Sequence, residues 1–529
     1  MRGLSRTHVA RSWILACGFA VLAATSILFV TAPYGPGASG DSVTYLSVAG
    51  SLADGEGWVR FDGRRYVAWP PLYPLALSTG VVAGLEPVSA ARILGALAFA
   101  LTLAALVLTL ARATGSLGWA ALGGLLALAS PPVNETFATA LSEGLFVSLV
   151  SVTFWLAVRA GPLPRPRDLV ALGIAVGAAC LTRYLGAVLA AAVAAWLLLR
   201  PAQPGEHLRR IGLFAGVAML GPGMWMLRNL ALTGTPAGGR GGAFTPLARN
   251  AEQFATGLAG SLSLDALGAI RPWLAAAIVF GLAGLGLAAA WRARPAPPAI
   301  LTLPAVFVLL YSLALVTLAS WTPVSPLFEM RFAMPVWIPF VLLVSALGAD
   351  AWHRWPARNP RIALAVVLAL ATGHGLAAAA VRAGEHREHG VHHMGRAEWH
   401  ASGLIDAVRS RDTGATVLSN IPHGVHFHTG LPVDYAPRRH GFRSEAELAG
   451  SLEALRQRVA DEGSVPLAWF LVTSPGYSYY TPKELAAEGF CLLGRDRASD
   501  GIYFEITDPG QCGGPRVVAP SQRGRPAGP

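Results

Sequence analysis

A carboxylate draws a proton from a hydroxyl or an amine only where the chain holds it at the substrate, and Asp41 is the first acid placed for that work. It follows the first long apolar run, with Tyr45 one helical turn on, Gly55 and Gly57 beyond, and the rigid run Trp69-Pro70-Pro71-Leu72-Tyr73-Pro74 behind. Glu143 is a second unusual acid, four or five residues inside an apolar stretch. A charge there costs about 2.5–3.5 kcal/mol at a bilayer midplane, so such a group normally faces a cavity or a partner. Arg183, Arg228 and Arg331 stand at the ends of other apolar stretches and offer planar guanidinium groups suited to phosphate; Arg64 and Arg65 sit in the first loop. Each has a plainer reading. Asp41 serves equally as a helix cap, Glu143 as an acid favoured by a helix dipole, the arginines as side chains reaching for headgroups, and Trp58, Trp69 and Tyr73 as an interfacial belt.

The elements that must position these residues are membrane helices. The chain of 529 residues is 53% hydrophobic and 13% charged, with a mean hydropathy of +0.48, far from the balance of a soluble domain. About eleven apolar stretches are long enough to read as spans. They fall near 13–32, 89–111, 117–131, 139–158, 168–182, 184–199, 211–228, 271–291, 299–319, 331–349 and 361–381, with a half-length interfacial candidate at 72–85. The first stretch exceeds the usual 7–15-residue signal core and reads as an anchor. Arg2, Arg6, Arg11, Arg112, Arg159, Arg165, Arg167, Arg200, Arg209, Arg210, Arg292, Arg294, Arg354, Arg358 and Arg361 fall in alternate loops. Placed inside, they put the amino terminus in the cytoplasm and the first loop, the loop 229–270 and everything after 382 outside. The net charge of +11 is therefore a topology signal, and its dispersal excludes a nucleic-acid surface.

The fold class expected is an α-helical polytopic membrane protein with a small carboxy-terminal extracytoplasmic α/β domain. Residues 1–381 form the membrane domain with a long first external loop at 33–88, residues 382–508 the α/β domain, and residues 509–529 a disordered tail rich in Gly, Pro and Arg. Within the loop, 41–52 spaces Tyr45, Val48, Ala49 and Leu52 as one stripe of a short surface helix ended by Gly55 and Gly57. In the α/β domain 396–410 and 444–459 have helical spacing, and 415–419, 467–473, 490–493 and 502–506 read as strands. Cys491 and Cys512 share the external segment, where a bridge and two free thiols are equally open. His386, His389, His392, His393 and His400 lack the spacing of a closed metal site and read as a solvated linker. His423, His426 and His428 alternate as in a strand or turn and read mainly as packing residues.

Asp41 with Tyr45, Gly55, Gly57 and the 69–74 run resembles the first-loop pattern of GT-C polyprenyl-phosphate-sugar glycosyltransferases. That superfamily includes protein mannosyltransferases, aminoarabinose lipid A transferases and lipopolysaccharide galacturonosyltransferases of the RgtA-B-C-D-like branch. Leu141-Ser142-Glu143, Leu181-Thr182-Arg183, Trp225 with Arg228-Asn229, and Arg331-Phe332 with Pro335 follow in matching order. The resemblance covers roughly residues 1–380. It implies transfer of a sugar from a polyprenyl-phosphate donor to a glycan, lipid or protein acceptor at the extracytoplasmic face, with inversion at the anomeric carbon. Asp41 would be the general base and Glu143 a second catalytic-site acid. Tyr45, Arg64, Arg65, Trp69, Tyr73, Arg183, Arg228 and Arg331 would bind substrate. The donor is a substrate rather than a cofactor, and a monophosphate leaving group calls for no divalent metal. Two other classes fit the same composition: a transporter or flippase of lipid-linked substrates, and a catalytically silent scaffold of the same fold. Span centres almost free of ionisable residues, His374 being the main exception, weigh against a transporter.

Overall fold

A backbone amide in a lipid core has no water to bond, so long apolar runs close their hydrogen bonds locally as helices. The computed structural model of the chain describes residues 5–238, 245–262, 265–293, 296–318, 320, 330–411, 414–440, 450–472 and 478–519. Its helices begin with α1 (Arg6–Val30), α2 (Gly40–Ala53), α3 (Leu72–Val82), α4 (Pro87–Thr114), α5 (Leu117–Leu128), α6 (Pro131–Ala138), α7 (Ser142–Ala160) and α8 (Pro166–Thr182). They continue with α9 (Gly186–Leu198), α10 (Pro204–Thr233), α11 (Leu247–Ser261), α12 (Arg271–Arg292), α13 (Ala299–Leu318), α14 (Trp337–Arg354) and α15 (Arg358–His389). Each of the eleven apolar stretches is a helix, yet among the described residues only eight are long and apolar enough to cross a membrane. Helices α5, α8 and α9 have 12, 17 and 13 residues. At ~1.5 Å per residue they reach roughly 18–26 Å against a hydrocarbon core of ~30 Å.

The chain divides into two compact units, residues 1–37 with 67–391, and residues 38–66 with 392–529. This differs from the expected division in two ways. Most of the first loop groups with the carboxy-terminal segment, and α15 continues the last apolar run through Arg382 and Glu385 to His389, moving the boundary beyond 381.

In the helical unit α4 packs against α1, α5 and α7, α7 against α8, and α8 against α10, while α12, α13 and α14 pack in succession. Small residues allow the close crossings. A Cβ on Gly173 would lie 2.8 Å from Val217 Cβ, and one on Gly177 would lie 2.9 Å from the Ala218 carbonyl, so these two glycines of α8 are what admit α10.

In the second unit a six-stranded sheet has the order β2-β1-β4-β7-β6-β8, built from β1 (Val417–Ser419), β2 (Val433–Tyr435), β4 (Ser464–Phe470), β6 (Cys491–Arg497), β7 (Gly501–Thr507) and β8 (Arg516–Val518). The strand β3 (Arg438–His440) pairs separately with β5 (Ser478–Tyr479). Strands β4, β7 and β6 are antiparallel neighbours, and β1 and β2 add parallel at one edge. Alternate residues of β4 feed opposite faces. Val465, Leu467 and Trp469 join the cluster with Leu455 of α19 (Ser451–Glu462) and Leu485 of α20 (Pro482–Ala487). Ala468 and Phe470 join Leu404 of α17 (Gly403–Arg409) and Val425 of α18 (Pro422–Thr429); α16 (Ala397–His400) precedes them. The expected helix over 396–410 is thus split at Ser402, which caps α17.

The segment expected as a tail begins with regular structure. Pro509–Cys512 is a 3-10 turn and Arg516–Val518 pairs parallel with β6. Cys491 and Cys512 are joined as a disulfide with their Cα atoms 6.0 Å apart, closing the strand onto that turn. Residues 520–529 lie outside the described residues.

Candidate active site

The helical unit gathers three of the expected site residues. Gly37 donates to the Ala138 carbonyl at 2.9 Å and accepts from the Ala140 amide at 2.8 Å, which fixes the approach to α7. Helix α7 starts at Ser142, so Glu143 lies in its first turn rather than several residues inside a span. Its position at a helix start does not leave it in water: Glu143 is 1% exposed. Arg183, the residue that ends α8, places Nη1 at 2.6 Å from Glu143 Oε1 and donates to Ser142 Oγ at 3.3 Å. Arg331, in a 3-10 turn at Met330–Phe332, brings a second guanidinium to 3.5 Å from the same oxygen. The Phe332 ring underlies both cations, 5.6 Å from Arg183 and 4.9 Å from Arg331, and its carbonyl accepts from the Tyr311 hydroxyl at 3.2 Å. Tyr311 is buried in α13, and nothing in the sequence distinguished it from a core aromatic.

Two guanidinium groups share one carboxylate oxygen. The side chains of Arg183 and Arg331 are 16% and 18% exposed, so both guanidinium groups are within reach of an anion. Such a group suits a phosphate whose own charge grows in a reaction.

Arg228 belongs to a different arrangement. Helix α10 continues past it to Thr233, so it is not at a helix end. It donates to Asn229 Oδ1 at 3.0 Å and lies 4.4 Å from the Trp225 ring centroid. The buried Asn229 in turn donates to the Val67 carbonyl at 3.0 Å, fastening the chain two residues before Trp69. Gly238 lies against the same carbonyl with φ +73°, and a Cβ there would stand 2.5 Å from that oxygen. From this anchor Trp69 and Pro70 lead to Pro71, which precedes α3, and Tyr73 is buried in its first turn.

The second unit holds Asp41, Tyr45, Arg64 and Arg65. Ser39, not Asp41, occupies the cap position of α2, and the Ser39 amide donates to Ser42 Oγ at 2.9 Å. Asp41 is therefore not the capping residue; it sits in the first turn with the buried Tyr45 one turn further on. Gly55 and Gly57, at φ +82° and +86°, turn the chain after the helix as expected. A hairpin follows, with Arg60 N donating to the Arg64 carbonyl at 2.9 Å and Tyr66 N to the Trp58 carbonyl at 2.9 Å. The fully buried Asp62 carboxylate binds Arg60 at 3.0 Å and Arg64 at 3.5 Å, and Arg64 also lies 3.8 Å from Asp434. Arg64 is thus held by two carboxylates, whereas Arg65 is exposed.

His423, His426 and His428 form neither strand nor turn but lie on α18, because Pro422 and the following residues close a helix. His423 Nε2 is 3.3 Å from the Tyr435 hydroxyl, His426 Nδ1 is 2.9 Å from the Leu431 carbonyl, and His428 Nε2 is 2.9 Å from the Met394 carbonyl. Burial pushes His423 down to about 3 and His428 to about 4, with nearby Arg60 and His400 acting in the same direction, so both rings are neutral near pH 7. The earlier histidines are scattered. His386 is buried, 3.7 Å from Glu135, and His392 and His393 touch ring to ring, while His389, His393 and His400 are exposed, so a wholly solvated linker is not what forms. Among the described residues no group of three or more His, Cys, Asp or Glu side chains is disposed to hold a metal.

Residues 69–221 match the dolichyl-phosphate-mannose-protein mannosyltransferase family. No curated protein matches the sequence. ArnT from Cupriavidus metallidurans, in a crystal structure bound to undecaprenyl phosphate, is similar in fold at a TM-score of 0.62 and 14% identity, with 92% of this chain and 97% of that chain covered. The oligosaccharyltransferase of Archaeoglobus fulgidus is similar at a TM-score of 0.54 and 12% identity, covering 85% of this chain and 68% of that one. The arabinofuranosyltransferase AftD from Mycobacteria follows at a TM-score of 0.50 and 17% identity, covering 93% of this chain and 40% of that one. Eight membrane-length helices among the described residues, a small carboxy-terminal sheet domain and these neighbours give the chain the fold of the GT-C glycosyltransferases, with a mannosyltransferase family match inside it.

Proposed function

We propose that the chain transfers a sugar from a polyprenyl-phosphate carrier to an acceptor hydroxyl or amine at the extracytoplasmic face of a bacterial-type plasma membrane. The observation that carries this reading is the buried Glu143 carboxylate that gathers Arg183 and Arg331 with both guanidinium groups partly exposed, an arrangement suited to a lipid phosphate. The family match over 69–221 and the fold shared with a protein crystallised with undecaprenyl phosphate support the donor class.

In this reading the acceptor oxygen or nitrogen forms a bond to the anomeric carbon as the bond from that carbon to the phosphate oxygen breaks. The polyprenyl phosphate leaves with one more negative charge, and Arg183 and Arg331 stabilise it. Asp41 takes the proton from the acceptor, and direct displacement inverts the anomeric centre. Glu143 holds the two guanidinium groups in place. The monophosphate leaving group needs no divalent metal.

The test is turnover of a panel of labelled polyprenyl-phosphate sugars by purified protein in membranes, comparing wild type with Asp41→Asn. Loss of a general base reduces the rate by about 10²–10⁴-fold. Transfer that survives the substitution removes Asp41 as the base, and no turnover of any donor by the wild type returns the chain to the transporter or scaffold classes.

A further inference from the structure

Helices α7, α8 and α9 run back and forth. Glu143 at the start of α7 meets Arg183 at the end of α8, so the end of α9 lies at the opposite end of this helical layer from the Glu143 pair. Arg200 follows α9 there and is 4% exposed. Its guanidinium face rests 4.5 Å from the ring centroid of the buried Trp196. Its edge has no such support: Nε and Nη2 are buried without a hydrogen-bond partner, and the indole Nε1 of Trp196 is a third unmatched donor beside them. No carboxylate among the described residues pairs with Arg200; the nearby Glu206 is taken by Arg209 and Arg210. Burial alone lowers Arg200 to about 10, so it stays charged near neutral pH.

A buried cation whose donors go unused is costly, so a site that keeps one has a use for an acceptor. The two orphan nitrogens identify it. Nε–H and Nη2–H form one edge of the planar fork and point in parallel, which matches two oxygens of one phosphate. The residues beside it, Leu198 and Leu199, are 57% and 40% exposed and offer apolar surface suited to acyl chains.

We propose that Arg200, backed by Trp196, binds a phosphate-bearing anion, the headgroup of a phospholipid, at the end of the helical unit away from the Glu143 pair. This site stands independently of the proposed transfer reaction.

The test uses the full chain, delipidated in detergent and titrated separately with dioleoylphosphatidylglycerol, dioleoylglycerol and inorganic phosphate, with retention read by native mass spectrometry and thermal unfolding. Wild type retains one phosphatidylglycerol per chain and ignores dioleoylglycerol. Arg200→Gln binds it about 10- to 100-fold more weakly, the loss expected for a charged bidentate hydrogen bond. Arg200→Lys keeps the charge without the fork, covers the case in which Arg200→Gln does not fold, and is also weakened. Competition by inorganic phosphate identifies the anion as free phosphate and supports the site without the lipid. Equal phosphatidylglycerol affinity in wild type and both variants overturns the proposal, as does binding of neither phosphate compound by the wild type.

Discussion

Replacing Glu143 by Gln keeps its shape and removes its charge, which sets stability and anion affinity moving in opposite directions. In the native chain one carboxylate oxygen faces Arg183 at 2.6 Å and Arg331 at 3.5 Å, in a site where the acid is 1% exposed. Removing one partner of a buried pair costs about 3–5 kcal/mol, because the remaining charge is left uncompensated. Partial exposure of the two arginines lets water relieve some of this, so a loss near the low end, about 3 kcal/mol, is expected. The same change raises the local charge by one unit. For an anion about 8 Å away at an effective dielectric near 20, that is worth about 2 kcal/mol, or roughly 30-fold in affinity. Thermal unfolding in detergent, followed by tryptophan fluorescence, and binding of a short-chain polyprenyl phosphate by each protein measure the two effects. A variant as stable as wild type, or one that is less stable and binds the lipid phosphate no better, refutes the assignment of Glu143 as the carboxylate that offsets these two guanidinium groups.

Other consequences are smaller or more local. His423 is neutral in the fold, with its ordinary value of 6.5 depressed to about 3, so the unfolded chain binds more protons between those values. Stability is full above about 6.5 and declines as pH falls toward 3; the buried His428, lowered to about 4, acts with the same sign, and His423→Gln should flatten the slope of thermal stability between pH 7 and 5. Breaking the Cys491–Cys512 bridge by Cys512→Ser releases a 21-residue separation and should cost about 3 kcal/mol in the loop-closure account, read as a lower denaturation midpoint under oxidising conditions and none under reducing ones. Gly238→Ala combines positive φ with a Cβ 2.5 Å from the Val67 carbonyl, so it should displace the segment leading to Trp69 and lower donor turnover while the same change at the open, φ-negative Gly216 has little effect.

Much of the helical unit is written locally. An apolar run long enough to bury its own backbone becomes a helix whatever surrounds it, and for that reason all eleven stretches are recognisable from composition alone. The stretch from Asp41 to Leu52 is legible in the same way, through its apolar stripe and the glycines after it, as are four strands with β-branched and aromatic runs. Where local signals conflict the chain alone misleads. The alternating histidines of 423–428 read as a strand or turn, but Pro422 starts a helix, and one of its rings, His428, meets the backbone carbonyl of the distant Met394. The short strands β2, β3, β5 and β8 carry too few residues to show a period, and β8 forms where the composition suggests a tail.

Charge pairing is decided elsewhere. The types of Glu143, Arg183 and Arg331 mark them individually as costly or functional in an apolar setting, yet any of the arginines could have served a headgroup instead. Their meeting depends on α7 and α8 lying side by side, and on the 3-10 turn that carries Arg331 to the same carboxylate across nearly two hundred residues of chain. Arg228, of the same type and with the same sequence promise, is drawn to Asn229 and Trp225 because α10 extends one turn further than its apolar run suggests. Sequence thus determined which segments leave water and which side chains are expensive to bury; only packing, which sets distances between residues remote in the chain, decided which charges meet.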